Sequence, residues 1–246
     1  MLRITGLSHA WGVVEVLQDI DLELHEGELL ALVGPSGCGK TTLLHLAAGL
    51  LPVQSGRVER GVERPAMLFQ QPRLLPWQRT DDNIAIGLRA QGVARRQARE
   101  RARVLGQELG LDERALAAYP HQLSGGMQSR AALARALILE PALLLLDEPF
   151  SALDIGLRAQ LHALLLDHVK RRGTAVLLIT HDLMEAVRLA DTVLVMAPSP
   201  GRLVHRQAVA GDPLQRDDAA VHRAAAELLA VPALRRAFDL PAPEPA

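Results

Sequence analysis

The sequence has a single cysteine, Cys38, so it cannot form an intrachain disulfide, and one free thiol agrees with a reducing compartment. No apolar run approaches the roughly 18 residues of a membrane-spanning helix, and the N-terminus lacks the apolar core of a secretory signal peptide. The formal net charge is only −1, which gives no reason to expect nucleic acid as the main partner. These absences predict a soluble, cytoplasmic protein.

Internal repeats and heptad runs are absent as well. With 246 residues and 49% apolar composition, the chain can bury the core of one large domain with a small insertion. Lysine is scarce, since Lys40 and Lys170 are the only two lysines among 27 basic residues. Arginines cluster at residues 95–103, which predicts a solvated helix face, with a phosphate-binding patch as the alternative.

One segment predicts a site for a nucleotide triphosphate. Residues 34–41, G-P-S-G-C-G-K-T, fit the pattern G-x-x-x-x-G-K-[ST] and follow an apolar, strand-like run at residues 29–33. Glycines let backbone N–H groups converge on the phosphates, and the helix that follows directs its N-terminus at the anion. Lys40 would reach the β- and γ-phosphates, and the Thr41 hydroxyl would hold Mg²⁺. The alternative is a chance match in a glycine-containing turn.

The remaining apolar runs predict the fold class. Helix-like segments at 156–172 and 182–190 separate the strand-like runs at 142–146, 175–179 and 192–196. Such alternation of strand and helix predicts an α/β fold with a parallel sheet. Residues 20–24 instead alternate apolar with polar, which predicts an antiparallel strand in a small N-terminal β region. The strand-like runs lie at residues 66–69, 142–146, 175–179 and 192–196.

Residues 74–140 predict a helical insertion between two strands of the sheet. Its helical stretches are residues 82–91, 94–110 and 112–118, and a longer one after Ser124. Beyond residue 205 the chain is rich in alanine, proline and arginine. We expect a short tail at 206–246 with one helix at 217–229, too small for an independent regulatory domain.

A second anion-binding arrangement is predicted at residues 123–128, L-S-G-G-M-Q. The Ser124 hydroxyl and the N–H groups of Gly125 and Gly126 stand at the start of a helical run. The alternative is an ordinary helix N-cap, in which the two glycines only weaken the helix.

Polar residues follow two of the buried strands. Asp147 and Glu148 end the run at 142–146, and His181 follows the run at 175–179. Ligands bind at the carboxyl ends of parallel strands in open α/β sheets. Asp147 therefore suits a Mg²⁺ contact, and Glu148 suits a general base that polarises the attacking water. The alternatives are a capping role for the two carboxylates and a structural role for the histidine.

With these motifs in this order, the chain resembles the ATP-binding subunit of an ABC transporter over residues 1–205. The signature L-S-G-G-M-Q carries most weight. Gln70 matches the Q-loop, Asp147 with Glu148 the Walker B motif, S-A-L-D at 151–154 the D-loop, and His181 the H-loop. The resemblance implies a P-loop NTPase (RecA-like) core with an N-terminal antiparallel β subdomain and a helical insertion.

The resemblance also implies roles. ATP hydrolysis to ADP and phosphate would use Glu148, His181, Lys40 and Gln70, with Mg²⁺ held by Thr41, Gln70 and Asp147. Two chains would form a head-to-tail homodimer, in which the signature turn of one chain closes on ATP in the P-loop of the other, so that nucleotide state controls dimer state. The residues implied to contact nucleotide are Trp11, Gly34, Pro35, Ser36, Gly37, Cys38, Gly39, Lys40, Thr41, Thr42, Ser124, Gly125, Gly126, Gln128 and Asp154.

Three of these positions invite comment. Trp11 stands where the family has the aromatic residue that stacks on adenine; the alternative is a core residue of the N-terminal sheet. Cys38 is expected to have a depressed pKa at the helix N-terminus, so that alkylation would block ATP binding. Ser129 replaces a common glutamine outside the phosphate-facing turn, with little effect expected on catalysis.

Transport requires a separate membrane permease, whose contact is expected on the insertion at Leu74, Leu75 and Trp77, in the proline-containing run P-R-L-L-P-W at 72–77. The alternative is that these three side chains fill the core of the insertion. This run and A-P-S-P-G-R at 197–202 are similar to the nitrate, sulfonate and taurine importers, which place the subunit at the inner face of the membrane and draw solute from an external binding protein. A soluble ABC ATPase of DNA repair or translation, an exporter ATPase and an inactive regulatory cassette are the alternatives.

Overall fold

The computed structural model describes residues 1–63, 65–151 and 153–241. Ala152 of the predicted D-loop and residues 242–246 of the predicted tail lie outside this part of the chain. The described residues form two sheets, one of six strands and one of three, with helices packed around the larger sheet.

The larger sheet is mostly parallel, as the alternating pattern predicts. Its order is β5-β6-β7-β3-β8-β9; the neighbours from β5 to β8 are parallel, and β9 is antiparallel to β8. Every residue of β3, β6 and β7 is buried, because helices or the second sheet cover both faces. The strands are β3 (Leu29–Val33), β5 (Ala66–Leu68), β6 (Leu143–Asp147), β7 (Ala175–Thr180), β8 (Thr192–Ala197) and β9 (Arg202–Ala208).

The smaller sheet contains β1 (Leu2–Trp11), β2 (Val14–Leu24) and β4 (Ser55–Arg60), paired antiparallel in the order β2-β1-β4. Residues 20–24 alternate between buried leucine or isoleucine and more exposed acidic residues, which confirms the predicted N-terminal β subdomain. Its buried leucines pack in one core cluster with Leu30, Leu32 and helix α1 (Lys40–Ala48). The smaller sheet therefore covers one face of the parallel sheet, close to the start of α1.

The helical insertion packs against the other face. The predicted helix at 82–91 is two short helices, α2 (Thr80–Ile84) and α3 (Ile86–Ala90), which meet at Ala85, where ψ is −8°. The remaining helices of this region match the predicted stretches closely. They are α4 (Arg95–Glu108), α5 (Glu113–Ala117) and α6 (Gly125–Leu137), with a 3-10 turn at Pro120–Gln122.

The arginines of α4 only partly form the solvated face that the sequence predicts, since Arg96 and Arg101 are exposed while others pair with aspartates. Asp81 of α2 is fully buried and accepts hydrogen bonds from Arg99 Nη2 at 2.8 Å and Arg103 Nε at 3.0 Å. Arg95 pairs with the neighbouring Asp82 at 3.0 Å. A buried carboxylate needs such partners, so three of the clustered arginines hold α4 on α2.

The C-terminal segment is part of the same core. Helices α7 (Ile155–Arg172) and α8 (Leu183–Leu189) precede β8, and the expected boundary at residue 205 falls inside β9. The sequence analysis missed β9, because no residue of this edge strand is fully buried. The last helices are α9 (Asp218–Ala230) and α10 (Pro232–Ala237), after a 3-10 turn at Pro213–Gln215. Leu228 and Leu234 pack in the main core cluster, which contains Leu29, Ala31 and Val33 of β3 and the buried side chains of the helical insertion.

Candidate functional site

The glycine-rich loop joins β3 to α1 at the carboxyl edge of the parallel sheet. Gly37 and Gly39 have φ of +80° and +100°, a region that favours glycine. A Cβ on Gly34 would lie 2.6 Å from the carbonyl oxygen of Met196, so this residue has no room for a side chain. Lys40 Nζ donates to the carbonyls of Gly34 at 2.7 Å and Pro35 at 3.0 Å. The loop thus holds its backbone and its lysine around one small volume at the N-terminus of α1.

Asp147 ends β6 directly beside this loop. Its Oδ2 accepts a hydrogen bond from Thr41 Oγ1 at 3.0 Å, which joins the predicted magnesium ligands on two different elements. Burial is the main cause that raises the pKa of Asp147, and the Thr41 hydrogen bond acts in the opposite direction. A hydroxyl and a carboxylate are hard oxygen ligands of the kind that Mg²⁺ takes together with phosphate oxygens and water. The donor set therefore fits Mg²⁺.

Glu148 lies between two of the other predicted catalytic side chains, His181 and Gln70. Its Oε1 is 3.2 Å from His181 Nδ1, and its Oε2 accepts from Gln70 Nε2 at 3.5 Å. The residue has φ of +47°, which is uncommon for a side chain other than glycine and is found at functional sites where the surroundings enforce it. The backbone N–H of Glu148 donates to Ile179 O at 2.9 Å and so fixes this turn to β7.

Lys40, Thr41, Gln70, Asp147 and Glu148 line one cleft of about 350 Å³, whereas His181 contacts Glu148 from outside this lining. Trp11 stands at the cleft and is 53% exposed, so the alternative of a core residue is wrong. Sequence reasoning missed Val16 and Ile179, two apolar residues without any motif that would single them out. The lining residues are Trp11, Val16, Ser36, Gly37, Gly39, Lys40, Thr41, Thr42, Gln70, Asp147, Glu148 and Ile179.

The signature turn lies elsewhere on the surface. Ser124 caps α6, its Oγ accepting from Met127 N at 3.2 Å, and the exposed Ser124 and Gly125 do not line the cleft. Gln128, predicted to bind nucleotide, instead donates from Nε2 to the carbonyls of Pro120 at 3.0 Å and Leu123 at 3.3 Å. The amide of Gln128 therefore stabilises the turn from inside.

Asp154 of the predicted D-loop caps α7 in the same way, accepting from Leu157 N at 3.0 Å. Like Ser124, it is exposed and lies outside the cleft lining. The chain thus presents one complete P-loop cleft and, apart from it, a signature turn and a D-loop residue.

Cys38 corrects the sequence analysis. Its side chain is 1% exposed and packs in the core cluster that contains Leu43 and Met196. Burial raises the pKa of the thiol, and the nearby Lys40 offsets this in part. The predicted depression of this pKa is wrong, because the side chain of Cys38 lies in the core, where burial outweighs the effect of Lys40.

The predicted permease contact divides into a buried and an exposed part. Leu74 packs against the main core, which bears out the alternative for this residue. Trp77 is 71% exposed. The intervening backbone is held by Asn83, whose Oδ1 accepts from Leu75 N at 2.7 Å and whose Nδ2 donates to Gln78 O at 3.0 Å. No motif pointed to Asn83.

A family model described as ABC transporter matches residues 17–151, more than half of the chain. The taurine import ATP-binding protein TauB of Escherichia coli O6:K15:H31 is 46% identical over 213 residues, which cover 84% of this chain and 83% of that protein. The protein of the same name in Shigella sonnei is 45% identical over 213 residues, with the same coverage of both chains.

The chain belongs to the ABC transporter family. Among solved structures, a dimeric ATP-binding cassette in a post-hydrolysis state with ADP and phosphate superposes with a TM-score of 0.79 at 26% identity, covering 86% of this chain and all of that one. The ATP-binding subunit of an ABC transporter superposes with a TM-score of 0.75 at 26% identity, covering 85% of this chain and 90% of that one. These ABC cassettes confirm the predicted P-loop NTPase fold. Within the described part of this ABC subunit, no helix is long and apolar enough to cross a bilayer.

Burial of Cys38 predicts a thiol that does not react in the native ABC subunit. Under conditions near neutral pH in which iodoacetamide modifies the urea-unfolded chain completely, the folded chain should remain unmodified. The thiolate is the nucleophile, and the buried thiol is both inaccessible and less ionised. Burial raises the pKa of the folded thiol, so at a given pH its thiolate fraction is smaller than that of the unfolded thiol, whose ordinary pKa is about 8.5. Intact-mass spectrometry measures the modified fraction, and rapid modification of the native chain would contradict the prediction.

Proposed function

We propose that this chain is the ATP-hydrolysing subunit of an ABC importer that takes up taurine or a similar small solute, such as a sulfonate or nitrate, through a separate permease. The observation that carries the proposal is the assembly of Lys40, Thr41, Asp147 and Glu148 around one cleft, in a chain 46% identical to a taurine import ATP-binding protein. That degree of identity favours an importer over the soluble ABC ATPases and exporters.

Binding of ATP follows from the loop geometry. The N–H groups of the glycine-rich loop and the N-terminus of α1 face the phosphates, and Lys40 exchanges its bonds to the Gly34 and Pro35 carbonyls for phosphate oxygens. Trp11 offers the base an exposed ring. Mg²⁺, held by Thr41 and Asp147 with Gln70 nearby, neutralises phosphate charge when bound.

Hydrolysis depends on the placement of Glu148. This carboxylate accepts a proton from the attacking water, while His181 Nδ1 and Gln70 Nε2, at 3.2 and 3.5 Å, hold its two oxygens in position. Burial of the approach strand keeps the carboxylate at a fixed distance from the loop. Removal of the general base should therefore lower turnover strongly while ATP binding is retained. Removal of the lysine or the metal would instead weaken binding as well.

Replacing Glu148 by glutamine tests this role. The Glu148→Gln variant should bind ATP with unchanged affinity and lose about 10²–10⁴-fold in turnover, because the amide retains the shape but cannot accept the proton. Phosphate release and equilibrium ATP binding are the two measurements. The exposed Glu227→Gln is the matched control and should hydrolyse ATP normally; unchanged hydrolysis by Glu148→Gln would remove this residue from the mechanism.

The position of the signature turn supports a head-to-tail homodimer. Ser124 and Gly125 are exposed at a helix N-terminus but lie outside the cleft of their own chain. In the proposed dimer the turn of each chain faces the γ-phosphate in the P-loop of its partner, and Asp154 lies near the same interface. ATP is then part of the contact surface, and hydrolysis releases the two chains.

A block of the signature turn should therefore affect dimerisation but not binding by the monomer. In the Glu148→Gln background, ATP should convert the chain to a dimer on size-exclusion chromatography. Adding Ser124→Arg should abolish that shift, because the arginine fills the space for the partner's phosphate, while ATP affinity of the monomer is retained. Ser55→Arg on exposed strand β4 is the control, and an ATP-dependent dimer of the Ser124→Arg chain would refute the composite site.

The permease contact is proposed around Trp77. A cleft of about 350 Å³ beside it is lined by two exposed aromatic residues, Trp77 and Tyr119, and by Arg79, Arg89 and other arginines. Asp81 and Asp82 pair with Arg95, Arg99 and Arg103 of α4, whereas neither Arg79 nor Arg89 has a carboxylate partner among the described residues. An aromatic and basic surface of this kind suits a short acidic segment of a permease at the inner membrane face. An external solute-binding protein would deliver solute to that permease.

Truncation of Trp77 should uncouple the chain from the membrane. The Trp77→Ala variant should bind the permease about 30-fold more weakly, the usual cost of losing an interfacial hot spot, and retain the ATPase rate of the isolated chain. Val104→Ala, another exposed apolar residue of the insertion, is the control. Pull-down of the permease with the tagged chain measures binding; equal recovery with both variants would place the contact elsewhere.

A further inference from the structure

His9 is a buried residue that no step of the proposed mechanism uses. It lies on β1, is 3% exposed, and neither of its ring nitrogens has a hydrogen-bond partner in the described part of the chain. Burying an imidazole without partners costs free energy that a leucine of similar volume would not. The position therefore requires something of the ring besides filling space.

The ring of His9 contacts the indole of Trp11. The two residues are two apart on one strand, so their side chains share a face of the sheet. Their ring centroids are 4.9 Å apart and the ring planes meet at 83°, an edge-to-face arrangement of the favourable kind. The buried ring of His9 thus braces an indole that is itself half exposed at the cleft.

The backbone between these two residues is also held. Gln54 lies just before β4, where the ladder between β1 and β4 has ended at the pair Ser8 and Ser55. Its side-chain Oε1 accepts from Ala10 N at 2.7 Å and its Nε2 donates to Ala10 O at 3.0 Å. The amide of Gln54 therefore replaces a strand partner for Ala10 and satisfies both of its backbone groups.

The pairing of β1 with β2, on the opposite edge of β1 from Gln54, contains a β-bulge next to His9 and Ala10. His9 pairs with Leu17 and Ala10 with Glu15, which leaves Val16 as an extra residue on β2. Such a bulge bends a strand and re-aims its side chains, and Val16 lines the cleft. The local structure thus brings Val16 and Trp11 to the same cleft.

We propose that His9 and Gln54 are positioning residues that hold the Trp11 indole ready to stack on the base of ATP. The inference rests on the proposed function, in which Trp11 contacts the base. A ring that is already oriented loses little rotational freedom when the base binds, so its contribution to affinity is retained. His9 acts through the ring contact, and Gln54 acts through the backbone of Ala10.

The test compares ATP with inorganic tripolyphosphate, which offers the P-loop the same charges but has no base. Equilibrium binding of both is measured in a Trp77→Phe background, where Trp11 is the sole tryptophan and its fluorescence anisotropy reports the mobility of the indole. His9→Leu and Gln54→Ala should each weaken ATP binding by about 2- to 10-fold, leave tripolyphosphate binding unchanged and lower the anisotropy. His9→Phe, which retains an aromatic edge, should restore both the ATP affinity and the anisotropy.

A double-mutant cycle locates the effect. Once Trp11→Ala has removed the indole, adding His9→Leu or Gln54→Ala should cause no further loss of ATP affinity. His222→Leu, at an exposed position of helix α9, is the control for loss of a histidine. Gln54 is exposed, so its variant keeps the core intact and tests the proposal even where His9→Leu lowers stability.

Two failures are distinguishable. If Trp11→Ala weakens ATP and tripolyphosphate equally, base stacking by Trp11 itself is refuted. If Trp11→Ala weakens ATP alone but His9→Leu and Gln54→Ala leave ATP binding unchanged, or weaken both ligands equally, the positioning role is refuted and the proposed site stands.

Discussion

The parallel pairing of β6, β7 and β3 is the constraint on which the site depends. Each of these strands is buried along its whole length, and their carboxyl ends meet at one edge, where Asp147 pairs with Ile179 and Val33 with Thr180. The glycine-rich loop, the Walker B carboxylates and His181 all follow directly from those ends. Because the strands cannot slide without exposing leucines to water, the distances within the cleft are set by the core.

Around that rigid edge, the parts expected to change with nucleotide are held by hydrogen bonds from two polar side chains. Asn83 fixes the backbone after Gln70, and Arg135 of the signature helix donates to the carbonyls of Pro72 at 2.7 Å and Arg73 at 2.8 Å. Gln70 thus belongs to a segment tied both to the proposed permease contact and to α6. A shift of Gln70 relative to Glu148 would move both at once, which is a physical route from the γ-phosphate to the membrane partner.

Much of the fold and the site followed from the sequence where local chemistry decides the structure. The loop at 34–41 needs glycine at positions 37 and 39 because their φ is positive, and the runs ending at Asp147 and Thr180 are too apolar for anything but buried strands. Prediction failed where an outcome depends on distant residues. Cys38 looked activated beside a helix N-terminus, but packing against Met196 and Leu43 leaves its thiol buried and protonated. The arginines of α4 looked solvated until two aspartates of α2 appeared opposite them.

By itself, the sequence determined the order of most elements, the P-loop pattern, the candidate for the catalytic carboxylate and the family, since these depend on residues adjacent in the chain. Only the tertiary structure decided which side chains share the cleft, that the signature turn lies outside it, and that the C-terminal helices belong to the core. The edge strand β9, the clamp of Gln54 on Ala10 and the contact of His9 with Trp11 have no local signal. Each arises between residues that only the folded chain brings into register, because burial and hydrogen-bond satisfaction are properties of the packed molecule.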